Sequence, residues 1–297
     1  MIAFLISLLL TLPALHPAPS ETDSLRKEVE SYLAQQEGTF AVWFQHLQNK
    51  ELHFSIHADT MFHAASTMKT PVMIELFRQA EMGRFSLDDS IRIENRFYSI
   101  VDSSEFQLEL DPESDDPFES QVGKMTTLRD LNHAMITYSS NISTNILIQL
   151  TCAENVTQTM RRLGAESIDV LRGVYDMKAY NRGLSNRTTA RDLGIIFEKL
   201  AMGEVVSPKA DSTMVEVLKD QHYRDIIPAG LPKTAIVANK TGWITGVRHD
   251  SAIVELSDGQ TYILIFLSKH LPNAENGAVI GEHVSAMIYN FLSGATH

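Results

Sequence analysis

The stretch "HAASTMKTPVMIELFRQ", residues His63–Gln79, decides how this chain is read. Ser66 and Lys69 stand three residues apart, which puts both side chains on one face once a helix begins. Pro71 suits the first turn of such a helix and would damage it further in. Met68, Val72, Leu76 and Ala80 then form an apolar stripe, so the spacing predicts a buried helix from Thr70 to Met82. A serine hydroxyl attacks a carbonyl well only when a neighbour takes its proton. A lysine can do so only if burial or a nearby cation lowers its pKa. The spacing alone proves little, because Ser24-Leu25-Arg26-Lys27 repeats it in a solvent-type segment.

Strand patterns flank this helix at both ends of the chain. "TFAVWFQHL" (Thr39–Leu47) and "ELHFSIH" (Glu51–His57) form one predicted hairpin, and Ser251–Ser268 a second that turns at Ser257-Asp258-Gly259. The segments between them have helical character: Thr127–Tyr138, Thr144–Leu150, Val156–Leu163, Thr189–Ala201 and Asp211–Lys219. Val279–Gly294 closes the chain with helical spacing. The fold expected is α/β of the α+β type: one antiparallel sheet assembled from the two termini, with an all-helical lobe inserted at about residues 67–220. A cleft between sheet and lobe is the default place for a site.

The bulk numbers narrow the function classes. A chain of 297 residues with 44% apolar content can bury a large core. The net charge of -12 argues against a nucleic-acid partner, which needs clustered positive potential. The apolar run Ile2–Leu12 breaks at Pro13 and is too short to span a membrane. With the small residues Ala18-Pro19-Ser20 it reads as an export signal over residues 1–20, leaving one domain over 21–297. The expected location is secreted or periplasmic, without stable membrane association once the signal is removed. Cys152, the sole cysteine, excludes an internal disulfide and is expected to be a buried structural thiol.

Two further motifs change the weight of the first. "ITYSSNISTNILI" places Ser139-Ser140-Asn141 at a helix boundary, where a serine can also serve as a cap. "VANKTGWITGVRHDSAIV" carries Lys240-Thr241-Gly242 into an apolar strand. In this order the three motifs resemble the Ser-x-x-Lys, Ser-Asp-Asn and Lys-Thr-Gly signatures of the class A β-lactamase-like, penicillin-recognising serine hydrolases. "TLRDLNHAMITYSSNISTN", "NRTTARDL" and "IIPAGLP" extend the resemblance over nearly the whole chain after residue 20.

The resemblance implies a role for each matched residue. Ser66 is the expected nucleophile and Lys69 its base or proton relay. Ser139 passes a proton to the leaving nitrogen, Asn141 holds the substrate's side-chain amide, and Lys240 supplies positive potential. Thr241 and Arg248 are expected to bind a substrate carboxylate. The backbone N–H groups of Ser66 and Trp243, beside Gly242, are expected to form the oxyanion hole. No metal or cofactor is implied, the substrate is a small β-lactam or acyl-peptide, and the family resemblance implies a monomer.

The match breaks in two places. Ser140 stands where the family has aspartate, a residue of largely structural role there. More seriously, counting from Arg172, the loop's leading arginine, to Thr189 puts Val174 where the family's deacylating glutamate belongs. Valine cannot act as a base. Asp176 is the nearest carboxylate: it either assists deacylation or pins the loop through Arg172 or Lys178. Tyr175 is also titratable, and Glu166 reads as a surface residue. Asn145 matches the asparagine that in the family supports the glutamate, so a polar contact to the loop is expected to survive.

Three other groups are set against simpler readings. The segment Phe97–Gly123 holds eight acids and no Lys or Arg, and its expected role, over residues 102–119 above all, is a solvated excursion. Calcium at Asp111, Glu113 and Asp115 lacks the turn glycine of a calcium loop. His53, His57 and His63 fall on a strand pattern without an acid at matching spacing, which does not make a metal site. Trp43 reads as core and Trp243 as a rim of the cleft, while His222, Tyr223 and Arg224 either line its entrance or connect the lobes. The leading function is an exported serine β-lactamase-like hydrolase. Its alternatives are a penicillin-binding sensor or sink that acylates and stalls, a hydrolase of peptidoglycan or other acyl substrates, and a serine-dependent glutaminase. The export signal and "KTGW" count against the last.

Overall fold

Two strands with strict alternation explain the layering. The computed structural model describes residues 21–111 and 113–294, so the export segment at 1–20 lies outside the described residues. Its main sheet has five strands: β1 (Thr39–His46), β2 (His53–Ile56), β3 (Ile236–Ile244), β4 (Val247–Glu255) and β5 (Thr261–Lys269). All neighbours are antiparallel, in the order β2-β1-β5-β4-β3. Along β1, Phe40, Val42 and Phe44 enter one apolar cluster, while Ala41 and Trp43 face the other. Along β5, Tyr262, Leu264 and Phe266 join the first, and Ile263, Ile265 and Leu267 the second. Period-two alternation with both faces apolar means a sheet covered on both sides.

The helices supply the covers. α1 (Glu21–Leu33), α2 (Lys69–Glu81), α3 (Leu128–Thr137), α4 (Asn141–Thr151), α5 (Ala153–Arg162), α6 (Met177–Asn181), α7 (Ala190–Met202), α8 (Pro208–Lys219) and α9 (Ala274–Ser293) follow in chain order. α1 and α9 pack on one face and α7 on the other, with the remaining helices built outward from α7. The antiparallel sheet from the two termini and the helical insertion therefore stand as expected. Several boundaries move for identifiable reasons. α4 starts at Asn141 because Ser140 Oγ caps it by accepting from the Ser143 N–H at 3.1 Å. α8 starts at Pro208, behind the cap of Ser207.

Two expectations are corrected here. The segment carrying the decoy pair is a helix, α1, whose Leu25, Val29 and Leu33 recur every fourth residue and are buried. Ser24 and Lys27 sit on its exposed side. Cys152 is not a buried thiol but is exposed. It ends α4 and begins α5 at a φ of 67°, a joint that turns the chain and leaves the side chain outside the core.

The helix of the opening motif is buried more completely than one apolar stripe requires. Lys69 to Phe77 and Gln79 are all buried, so α2 is the hub of the helical lobe. Its one buried acid, Glu75, is satisfied by Arg78 at 2.7 Å, Gln79 at 2.6 Å and Thr159 at 2.6 Å. A buried charge without such partners would cost several kcal/mol, roughly.

Candidate active site

Ser66 lies in a tight 3-10 turn, Ala65–Met68, that opens directly into α2. The turn is held from below: Ala65 N–H donates to His63 Nδ1 at 3.0 Å, and Thr67 Oγ1 donates to Ala64 O at 2.6 Å. Ala65 has a φ of 46°, in the left-handed region, which costs a non-glycine residue about 1–2 kcal/mol. Strain of this kind persists where the surroundings overdetermine the backbone. One such support is His249, whose Nε2 donates to His63 O at 3.0 Å while its Nδ1 accepts from the Ser268 N–H at 3.1 Å. Burial pushes the His249 pKa down to about 4, which keeps the ring neutral for these two roles. His53 lies in β2, His57 follows it, and His63 serves the turn, so the three histidines belong to different parts of the frame.

Strand β3 runs past this turn. A Cβ at Gly242 would lie 3.2 Å from the Ser66 nitrogen, so glycine is what lets the strand approach. The register pairs Lys240 with Ser251, Thr241 with Asp250 and Trp243 with Arg248. Arg248 reaches toward the Trp243 ring, 5.5 Å from its centroid, and forms an ion pair with Asp225. Trp243 is 61% exposed and rims the cleft, as expected for it. Trp43 is partly buried and packs against the core.

The catalytic-type side chains converge on Ser139. Lys69 Nζ donates to Ser139 O at 2.5 Å, to Ser139 Oγ at 3.0 Å and to Asn141 Oδ1 at 3.0 Å. Lys240 Nζ donates to the same Ser139 Oγ at 3.2 Å and to Thr241 O at 3.0 Å. Ser139 itself has a φ of 57°, a second non-glycine residue in the left-handed region. Burial pushes the Lys69 pKa well below its ordinary value, Lys240 pushes it further, and Asp116 partly restores it. Burial also brings Lys240 down to about 7, with Asp250 opposing. A lysine that is neutral near pH 7 can accept a proton, and few environments provide that.

A cleft of about 850 Å³ collects these groups: Ser66, Ser139, Asn141, Thr241, Trp243 and Arg248 all line it. Its far wall is the loop from Arg172 to Asn186. Val174 and Tyr175 line the cleft; Asp176 does not. Asp176 is 2% exposed and its oxygens are occupied. They accept from Ser99 Oγ at 2.8 Å, Ile100 N–H at 2.9 Å and Ala179 N–H at 3.1 Å, the last as the cap of α6. Lys178 binds Asp102 at 2.8 Å and not Asp176. The polar contact foreseen for Asn145 exists, but to backbone: its Oδ1 accepts from Val174 N–H at 2.7 Å and its Nδ2 donates to Val174 O at 3.0 Å. Gly173 makes room for that clamp, since a Cβ there would lie 2.4 Å from Asn145 Oδ1. Tyr223 lines the cleft, whereas His222 and Arg224 are exposed and do not belong to its lining. Missed by the sequence reading are the cleft carboxylates Asp116, Glu119 and Glu275.

Known proteins resemble this chain in sequence and in fold. The chain is 23% identical over 259 residues to the β-lactamase SME-1 of Serratia marcescens, covering 85% of this chain and 83% of that protein. It is 25% identical to the solved structure of PBP-A, with a TM-score of 0.78 over 91% of this chain and 96% of that one. A leucine-to-glutamate variant of PBP-A, equally similar, is described as an acyl-enzyme complex with penicillin G. The family model of the β-lactamase enzyme family matches residues 24–292, and the chain belongs to that family.

Proposed function

We propose that the protein is an exported serine hydrolase that opens β-lactam amides by transferring their acyl group to Ser66, and that release of this group is its slow half. The observation that carries the reading is the pair of buried lysines meeting at Ser139 in the cleft that Ser66 lines. Lys69, neutral, takes the Ser66 proton as Oγ attacks the carbonyl carbon. The C–N bond then breaks, and the departing nitrogen receives a proton through Ser139 Oγ. Lys240, Thr241 and Arg248 draw the substrate carboxylate, Asn141 holds the side-chain amide, and the N–H groups of Ser66 and Trp243 receive the oxyanion. Each such donor contributes about 2.7–4 kcal/mol to the transition state.

The slow release rests on the loop. Hydrolysis of the ester needs an activated water, valine at 174 supplies no base, and the Asp176 carboxylate is spent on loop hydrogen bonds. The likeness to PBP-A, a variant of which is described as an acyl-enzyme complex with penicillin G, supports acyl transfer. Export is proposed from the residue 1–20 pattern alone. Intact-protein mass spectrometry after mixing with penicillin G tests the function. The expected result is an adduct of one whole penicillin that persists, and none on Ser66→Ala. Absence of both adduct and turnover overturns acyl transfer. Steady turnover without accumulation overturns the slow half.

A further inference from the structure

The acidic run Phe97–Gly123 takes no part in acyl transfer, yet it is not the free excursion its composition suggests. Ser114, Asp116 and Glu119 line the cleft beside Tyr138 and Tyr223. Asp116 is only 9% exposed. Its Oδ1 accepts from the Phe118 N–H at 3.0 Å, while its Oδ2 is buried and has no partner among the described residues. A buried carboxylate oxygen left unpaired is costly, and native structures rarely tolerate one without a use.

Around it the wall is aromatic. The Tyr138 ring stacks on His222 at 5.2 Å between centroids, and Tyr223 meets His222 edge-on at 5.2 Å. His222 Nε2 in turn lies 4.0 Å from Asp115 Oδ2. Burial first, then the charges of Asp115 and Asp116, raise the Tyr223 pKa and keep its hydroxyl neutral. Ring faces carry negative potential, so rings beside carboxylates form a surface for a cation. Elsewhere the lining holds Arg172 and Arg248 with a single acid, Glu275.

Resting on the acyl-transfer reading above, we propose that this wall is a subsite for a cationic amine of the substrate. The cation sits against Asp116 and the rings of Tyr138 and Tyr223, while the substrate carboxylate goes to Thr241 and Arg248. The preferred substrate class is therefore a zwitterion, carrying an ammonium or pyridinium besides its carboxylate.

Matched β-lactams test it through acylation rate constants, read as adduct formation. Ampicillin differs from penicillin G by one side-chain amine, and cephaloridine from cephalothin by a pyridinium in the leaving half. The cationic member of at least one pair is expected to acylate about tenfold faster, equivalent to ~1.4 kcal/mol. The gap narrows with added salt and closes in Asp116→Asn and in Tyr223→Leu. Asn keeps an Oδ1 for the Phe118 N–H, and Tyr223→Leu is an independent probe should Asp116→Asn fold poorly. Equal rates within both pairs overturn the subsite, as does a preference that neither variant alters. A uniform change in the rates of both members by Asp116→Asn also overturns it, and assigns Asp116 to Lys69, whose pKa it raises. No adduct from any of the four β-lactams overturns acyl transfer and the subsite together.

Discussion

The lysine wall and the loop wall face the same serine, and they treat buried polarity in opposite ways. Lys69 and Lys240 are fully buried, and their hydrogen-bond partners are neutral oxygens of Ser139, Asn141 and Thr241. Burial pushes both pKa values down, and neither ammonium has a carboxylate within ion-pair distance among the described residues to offset it. The loop spends its polar atoms on itself. Asn186 binds the backbone of Leu171 and Arg172, Arg172 binds Leu184 O at 2.9 Å, Asn145 clamps Val174, and Asp176 fills three acceptor positions. Arg172, also buried on neutral carbonyls, shares that condition, so the contrast lies in the carboxylate: Asp176 has both oxygens paired, whereas no carboxylate among the described residues pairs either lysine. On the proposed function, the halves of the cycle that acylate and release are therefore built to different degrees.

The substitution expected to break the contrast most strongly is Val174→Glu. Asn145 holds this position through backbone atoms only, so the clamp survives the change of side chain. A carboxylate at 174 lines the cleft and can activate water for the Ser66 ester. General-base assistance is worth about 10²–10⁴-fold, and deacylation of the penicillin G adduct should rise by that order. Single-turnover mass spectrometry reads it. A decay rate equal to the parent's would mean that the loop excludes water, whatever base it carries.

The pH profile sharpens the other wall. Lys69 must be neutral to take the serine proton, and burial, with Lys240 adding to it, shifts its pKa well down toward that form. Lys240 must be charged to attract the carboxylate, and with a pKa of about 7 it loses its proton as pH rises through neutrality. Acylation by penicillin G should therefore decline on the alkaline side with an apparent midpoint near 7, a value that belongs to the coupled pair. Lys240→Arg keeps its charge throughout and should extend the plateau upward. An alkaline limb unchanged by that substitution would show that Lys240 is not the group titrating.

The frame was legible because alternation and helical spacing are local signals. The residues proposed for acylation come from the resemblance of three short motifs, since the Ser66 and Lys69 spacing alone recurs at Ser24 and Lys27. Such motifs let Ser66, Lys69, Ser139, Asn141 and Lys240 be proposed without knowing the path between them. What escaped depends on that path. Asp116 has the composition of its solvated neighbours, and only the tertiary course of the acidic segment puts it in the cleft. Asp176 stands two residues from the position of the absent glutamate, yet the turn at Tyr175, with a φ of 61°, separates the two directions. α1 hid because its charged residues outnumber the three apolar positions that define its face.

The smallest expected effect on chemistry, and therefore the finest test of the contrast, belongs to Asp176→Asn. Aspartate accepts at both oxygens: Ser99 Oγ and Ala179 N–H at Oδ1, and Ile100 N–H at Oδ2. Asparagine keeps one acceptor and turns an NH2 group toward a donor, so one of these bonds is lost whichever way the amide is oriented. Losing a partner in a buried network costs about 1–3 kcal/mol, and the urea midpoint should fall accordingly. Deacylation, followed where the variant remains fully folded, should stay at the parental rate, because the carboxylate faces residues 99–100 and α6 and not the cleft. If release slows while the fold is intact, Asp176 is the base. The loop would then belong with the lysines as chemical machinery, and complete pairing would no longer distinguish the two walls.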